Sequence, residues 1–232
     1  LWSRVFRSGA SINFCHRPFK WKNNAANNAG VHVVIVGFSN NPTAKRRIFD
    51  EDLVSSAESI SPYLVSGPEV YVRAERAPLS TDLKKMVSGS MARDGGNLIL
   101  RRDERDRLVM ADPASEELIR KLSGSNEFIS REWRYCLWVE DDDLERAHRI
   151  PDLAHRIELV ENFRNSSTAK TTKGYAAISH KFAQRAHKDG NAILIAKTSS
   201  ETREYLPVDL VREDVIISDA AFGIYEAPVW HL

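Results

Sequence analysis

The chain has 232 residues, 42% of them hydrophobic, and a formal net charge of +1. That length holds one large domain, or one domain with part of a neighbour, and no apolar run approaches the roughly eighteen residues of a membrane span. Leu1 to Arg7 lacks the apolar core of a signal peptide, and two cysteines, Cys15 and Cys136, exclude a disulfide framework and a four-cysteine zinc site.

Residues 11–19 read as a short strand that Pro18 stops. Lys20 to Gly30 suits a helix ending at glycine, and the β-branched run from Val31 to Phe38 a strand buried on both faces. The three together look like the last part of an α/β sheet. A turn over Ser39 to Thr43 precedes a strand over Lys45 to Asp50; Pro62 is a breaker, and residues 63–73 are extended around Gly67 and Pro68. Leu79 to Met86 suits a short helix capped by Ser80 or Thr81. Arg93 to Gly96 turns the chain into a strand over Asn97 to Arg101, and the alternating signs of Arg102 to Arg107 predict an exposed turn.

Asp112, Pro113 and the acids Glu116 and Glu117 mark a helix that Gly124 closes. Glu127 to Trp138 reads as a loop running into a strand over Tyr135 to Val139. The acids at 140–143 suit a helix start, where negative charge is favourable, and Pro151 opens a helix through about Phe163. A polar loop over Ser166 to Gly174, a strand over Tyr175 to Ile178 and a turn at Asp189-Gly190 lead to the strand at 192–196. Val215 to Ile217 is a further strand, and Ala220 to Trp230 begins another segment.

Two stretches carry functional signal. From Arg164 to Lys188 there are six Lys/Arg and no acid, a pattern that suits a positive face for a polyanion. At residues 192–207 an apolar run stops at Lys197 and gives way to Thr198, Ser199, Ser200, Glu201, Thr202, Arg203 and Tyr205. A strand that delivers hydroxyls, a guanidinium and a phenol to one end makes a rigid polar platform. The plainer alternative is a strand followed by a helix cap at Thr198 or Ser200.

Catalytic patterns are missing. There is no glycine-rich nucleotide loop and no Gly-x-Ser-x-Gly elbow, and the seven histidines are dispersed. Pro151-Asp152 with Glu158 lacks the lysine of a metal-dependent nuclease, since Val160 stands there. Asn41-Pro42 is followed by Thr43 and Ala44, not by a second proline and a stacking ring. No catalytic or metal-binding residue is assigned, and the chain reads as a binding module.

The stretch from Ile12 to Phe38, INFCHRPFKWKNNAANNAGVHVVIVGF, resembles the closing section of the methyltransferase domain in large bacterial DNA adenine-N6 methyltransferases, including MmeI-like restriction-methylation enzymes. Pro62-Tyr-Leu, Asp94-Gly-Gly, Glu127-Phe, Arg134-Tyr-Cys-Leu-Trp138 and Ser199-Ser-Glu-Thr-Arg-Glu-Tyr-Leu-Pro207 resemble, in order, that family's target-recognition domain. Phe222-Gly-Ile resembles the start of the next segment in that family, and Thr202 departs from the pattern, which has a second arginine there.

The resemblance implies a mixed α/β (α+β) fold: a strand-rich target-recognition domain with several short helices over 45–217, preceded by the closing strands of a methyltransferase sheet over 1–44 and succeeded by a further segment from 218. It implies sequence-specific recognition of double-stranded DNA, beside an upstream methyltransferase domain of the same protein that binds S-adenosylmethionine. This chain would bind no cofactor and transfer no methyl group by itself, because the family's cofactor glycines and Asn-Pro-Pro-aromatic motif are expected before residue 1. The setting is cytoplasmic, with no membrane partner. Arg131, Arg134, Ser199, Ser200, Arg203 and Tyr205 are the candidates for the DNA-facing platform, and Lys170, Lys173, Lys181 and Arg185 for phosphate contacts. The alternative for the platform set is an internal network holding strand ends, with base readout in 101–107 or 164–173. Two other functions stay open: an RNA or single-strand binder stacking bases on Trp133, Trp138 and Tyr205, and an inter-domain piece with no affinity of its own.

Overall fold

A computed structural model describes residues 2–21, 31–73, 75, 80–200 and 203–228. It forms two compact units, Leu1–Ala77 and Pro78–Leu232.

In the first unit helix α1 (Trp2–Arg7) precedes a four-stranded sheet of β1 (Ser11–Trp21), β2 (Val31–Ser39), β3 (Arg46–Asp50) and β4 (Leu53–Ala57), in the order β2-β1-β3-β4. β1 runs antiparallel to β2 and parallel to β3. Ile12, Cys15, Ile48, Ala57, Ile60 and Leu64 form its core, with Trp2 and Phe6 packed against them. Pro18 does not stop β1. The register with β2 shifts between His16 and Phe19, so the residue without an N–H falls in a bulge and costs no ladder bond.

β2 is not buried on both faces. It lies at the edge of the sheet with Val31, Val34, Ile35 and Phe38 exposed. Gly37 admits the Phe14 ring: a Cβ there would lie 2.1 Å from Phe14 Cε1. The helix expected from Lys20 to Gly30 loses Lys20 and Trp21 to β1, and the remainder lies outside the described residues. β3, just past residue 44, pairs with β1, and the compact units part at Ala77.

The second unit holds β5 (Val87–Ser88), β6 (Ile99–Leu100), α2 (Arg102–Ala111), β7 (Ile119–Ser123), α3 (Ser125–Ser130) and β8 (Arg134–Leu137). α4 (Leu144–Arg149), α5 (Pro151–Ser166), α6 (Lys170–Lys173), β9 (Ala192–Ala196), β10 (Val208–Val211), β11 (Val215–Ile217) and β12 (Ala221–Tyr225) come next. Two sheets result, β10-β9-β12-β5 and β11-β7-β8-β6. The larger core joins Leu98, Leu100, Leu122, Leu137, Leu153, Val160 and Phe182, and the second joins Leu194, Ile217, Ala221 and Tyr225.

Several expectations change. Arg102 to Arg107 opens a helix: Asp103 and Glu104 stand in its first turn, the Arg101 N–H donates to Glu104 Oε2 at 2.9 Å, and Asp103 pairs with Arg107 one turn on. Asp112 does cap a helical turn, its Oδ1 accepting the Ala114 N–H at 3.0 Å, but the turn is a 3-10 helix over Pro113–Leu118. The chain then becomes β7, because Ile119 to Ser123 finds partners in both β8 and β11. α3 runs through Ser130 into the loop expected from Glu127, and the polar loop after Ser166 contains the single turn α6. Tyr175 to Ile178 is not a strand, and Ala176–Ile178 forms a 3-10 turn. Leu79 lies outside the described residues, and Ser80 to Met86 forms no helix, since the Ser80 hydroxyl accepts the Asp82 N–H in a local turn. Ala220 onward supplies β12, which lies between β9 and β5.

Arg164 ties the larger core together. Its side chain is 0% exposed, and the guanidinium donates to the carbonyls of Ala92, Arg93, Tyr175, Ile178 and Lys181. Burial pushes its pKa down while Asp94 opposes the shift.

Candidate nucleic-acid interface

The polar cluster after Ala196 is a hairpin loop, not a helix cap. β9 and β10 pair antiparallel, with Val208 opposite Ile195, and the Ala196 N–H donates to the Pro207 carbonyl at 3.0 Å. Lys197 fixes the root of this loop. Its N–H donates to Ser125 Oγ at 2.7 Å, and its ammonium donates to Ser88 Oγ at 2.7 Å and the Asp219 carbonyl at 2.6 Å, 4.5 Å from the Phe222 ring centre. Beyond it Ser199, Ser200, Arg203 and Tyr205 are exposed, Tyr205 to 78%, and the Arg203 N–H donates to the Ser200 carbonyl at 3.1 Å. Glu201 and Thr202 lie outside the described residues.

Opposite this loop stands the α3–β8 corner. Glu127 organises it with both carboxylate oxygens: Oε2 accepts the Gly124 N–H at 2.9 Å, capping α3, and Oε1 pairs with Arg134 Nε at 2.7 Å. Arg131 ends α3 in the left-handed conformation, φ 59°, and sends the chain to Trp133 and into β8. Trp133 is 38% exposed with Lys121 Nζ 5.9 Å from its ring centre.

Two grooves flank this corner. One, of about 560 Å³, includes Arg101, Arg102, Arg131, Trp133 and Arg134 in its lining. The other, of about 720 Å³, includes Arg131, Trp133, Arg203, Tyr205 and Leu206. Arg131 and Trp133 therefore form a ridge between them. Among the described residues Arg102, Arg131 and Arg203 have no ion-pair partner, while Arg134 is held by Glu127. A guanidinium fork without a carboxylate is available to a phosphate or a base edge, and the two exposed rings offer faces for stacking.

Of the six platform candidates, the fold thus brings Arg131, Arg134, Arg203 and Tyr205 to the two grooves, with Ser199 and Ser200 in the same hairpin loop. Sequence reasoning left out Arg101 and Arg102 as individual platform residues. Their signal was the Arg-Arg pair immediately before Asp103 and Glu104, which places both at the start of α2.

The basic segment behaves differently, and none of its four candidates lines either groove. Lys181 meets Asp141 at 2.5 Å, beside a 2.9 Å contact between His180 Nε2 and the same carboxylate. Arg185 grips Glu140 with both terminal nitrogens and lies 3.8 Å from the Trp138 ring centre. Lys188 pairs with Glu226 at 3.0 Å. Hydrogen bonds from Lys181 and then His180 hold Asp141 below its ordinary pKa, and those from Arg185 do the same for Glu140. The acids at 140–141 thus pair with two of the six cations in the run that looked like a positive face. Lys170 and Lys173, in α6, are exposed and unpaired among the described residues.

Among the described residues no group of three His, Cys, Asp or Glu is placed to hold a metal ion, and no helix is long and apolar enough to cross a membrane. Cys15 and Cys136 are buried free thiols.

Comparisons with known proteins find relatives along the whole chain. DNA methyltransferase A of Bacillus subtilis (strain 168) is 36% identical over 233 aligned positions, covering 100% of this chain and 26% of that protein. The structure of the Type IIL restriction-modification enzyme MmeI in complex with DNA matches with a TM-score of 0.86 at 34% identity, over 98% of this chain and 31% of that one. The chain therefore spans about a quarter to a third of the length of these relatives. The family model of the MmeI DNA-methyltransferase domain matches residues 1–50, and that of the MmeI target recognition domain matches residues 66–232. With most of its length under the latter model, the chain belongs to the MmeI target recognition domain family.

Proposed function

We propose that this chain reads the sequence of double-stranded DNA as part of a methyltransferase that uses S-adenosylmethionine, with the α3–β8 corner and the 197–207 loop as the reading surface. The observation that carries the proposal is the pair of grooves meeting at Arg131 and Trp133, where three guanidinium groups stand without carboxylate partners among the described residues. Arg102, Arg131 and Arg203 contact phosphate or base edges. Arg134 is held in place by Glu127, and Tyr205 and Trp133 pack against sugar or base. Ser199 and Ser200 supply hydroxyl contacts from the same loop. Lys170 and Lys173 are the phosphate contacts of the basic segment, whereas Lys181 and Arg185 act through the acids they bind.

Nothing among the described residues forms a cradle for the methyl donor. Gly9, Gly67, Gly95, Gly96 and Gly190 have positive φ, but only Gly95 and Gly96 are adjacent, and they belong to the turn after Asp94. We assign donor binding and methyl transfer to other parts of the parent protein, placed in the cytoplasm, and group the first unit with them.

Binding of the full chain to a duplex of randomised sequence, measured across a salt series, tests the proposal. We expect affinity to fall with salt and the double change Arg131→Ala, Arg203→Ala to lower the slope of log K by about 1 to 2. A slope that this change leaves untouched, in a folded protein, refutes the assigned surface. Single strands or RNA outcompeting the duplex would favour a stacking module. Methyl transfer by the isolated chain above background would refute the division of labour.

A further inference from the structure

Ser125 is the first residue of α3 and only 2% exposed, yet its hydroxyl joins three distant parts of the chain. It donates to the Ala220 carbonyl at 2.5 Å, just before β12, and accepts the Lys197 N–H at 2.7 Å, at the end of β9. The Ala196 N–H is already committed to Pro207, so the Lys197 N–H is the first one past the ladder and has Ser125 as its partner. From the far side the Lys197 ammonium holds Ser88, Asp219 and the Phe222 ring. The chain enters the loop that bears Arg203 and Tyr205 at this point. Arg131 stands at the other end of α3, about 9 Å along the helix axis from Ser125 at 1.5 Å per residue. Both arms of the surface are thus measured from one buried oxygen.

We infer that Ser125, latched to Lys197, is a positioning residue that sets the register between the Arg131 ridge and the Arg203–Tyr205 loop. The inference rests on the proposal that this surface reads duplex DNA. Phosphate attraction depends on charge and tolerates small displacements, whereas base-edge readout needs side chains held to about half an ångström. Loss of the latch therefore lowers discrimination between sequences more than total affinity.

The test is selection from a pool of duplexes with a randomised core, using the full chain, with total affinity for the unselected pool measured in parallel. Wild type is expected to enrich a defined set. Ser125→Cys, similar in volume but a poor hydrogen-bond partner, is expected to keep pool affinity within about threefold while enrichment falls about tenfold, the cost of losing one base contact. Ser125→Thr, which keeps the hydroxyl, should regain most of it. Ser125→Ala removes the same hydroxyl with a smaller side chain and carries the test should Ser125→Cys fail to fold. Enrichment equal to wild type in a folded Ser125→Cys or Ser125→Ala protein overturns the inference. Absence of enrichment by wild type overturns the recognition proposal beneath it.

Discussion

Two sets of arginines in the second unit have opposite fates. Arg164 and Arg185 lie in the run richest in positive charge, yet one is sealed among five carbonyls and the other is clamped between Glu140 and the Trp138 ring. Arg131 and Arg203 come from stretches with no marked excess of charge, and both reach a groove without a carboxylate partner among the described residues. A count of charges along the chain registers supply but not demand. The acids at 140–141, Glu226 and the backbone carbonyls around Arg164 take up four of the six cations of 164–188, and what remains for a ligand, Lys170 and Lys173, is what the fold leaves unpaired among the described residues.

Disrupting Arg164 gives the largest effect. Arg164→Ala strands several buried carbonyls, and we expect a loss on the order of 3 to 5 kcal/mol in denaturant unfolding. Arg164→Lys should recover little, because one ammonium cannot span the carbonyls that the fork reaches. A loss below about 1 kcal/mol would mean that water replaces the guanidinium, and the contrast between the two sets would fail.

Next in size are changes in binding. Arg203→Ala alone should cost about 1 to 3 kcal/mol of duplex affinity if the fork reads a base, concentrated at one position of the selected sequence. Lys181→Gln with Arg185→Gln should leave the salt slope of binding within about half a unit of wild type, since both cations are already paired. A drop of a full unit would return these two residues to the DNA-facing set and erase the distinction.

The smallest effect is a pH dependence. Arg185 holds Glu140 below its ordinary carboxylate range, so the pair stabilises the fold fully above the unfolded pKa, near 4.5, and the contribution is lost as pH falls through the lowered folded value. At pH 7 wild type should exceed Glu140→Gln by no more than about 1 kcal/mol, as the pair is half exposed. Unfolding of both proteins across acid pH should show that gap closing. A gap that widens toward low pH would reverse the sign.

Local signals located most elements. The β-branched run of β2, the glycine turn at 95–96, Pro151 at the start of α5 and the apolar run of β9 each lie where pattern and turn chemistry put them. Two of the errors came from partners distant in sequence. Ile119 to Ser123 has helical spacing of its apolar residues, and pairing with both β8 and β11 makes it a strand. The polar tail of β9 reads locally as a cap, and becomes a loop because Val208 to Val211 returns to pair with it. The same limit applied to the surface. Arg203 and Tyr205 were named from a motif of the resemblance and Arg131 from the segment 127–138, while Arg101 and Arg102 line the same groove as Arg131 only because α2 begins beside the α3–β8 corner.

The order in which the ribosome makes these strands has a consequence of its own. β12 is the inner neighbour of β9 and the strand that joins β5 to that sheet, and Ser88 finds Phe222 across most of the unit. The β9–β10 hairpin therefore exists in the nascent chain before the strand that covers its inner edge. Until Tyr225 has emerged, that edge is open to pairing with another chain, and β5 waits longer still for a distant partner, which slows closure. Production of this protein should thus be most vulnerable to aggregation in the interval before β12 emerges, when the β9–β10 hairpin is built but its inner edge is not yet covered.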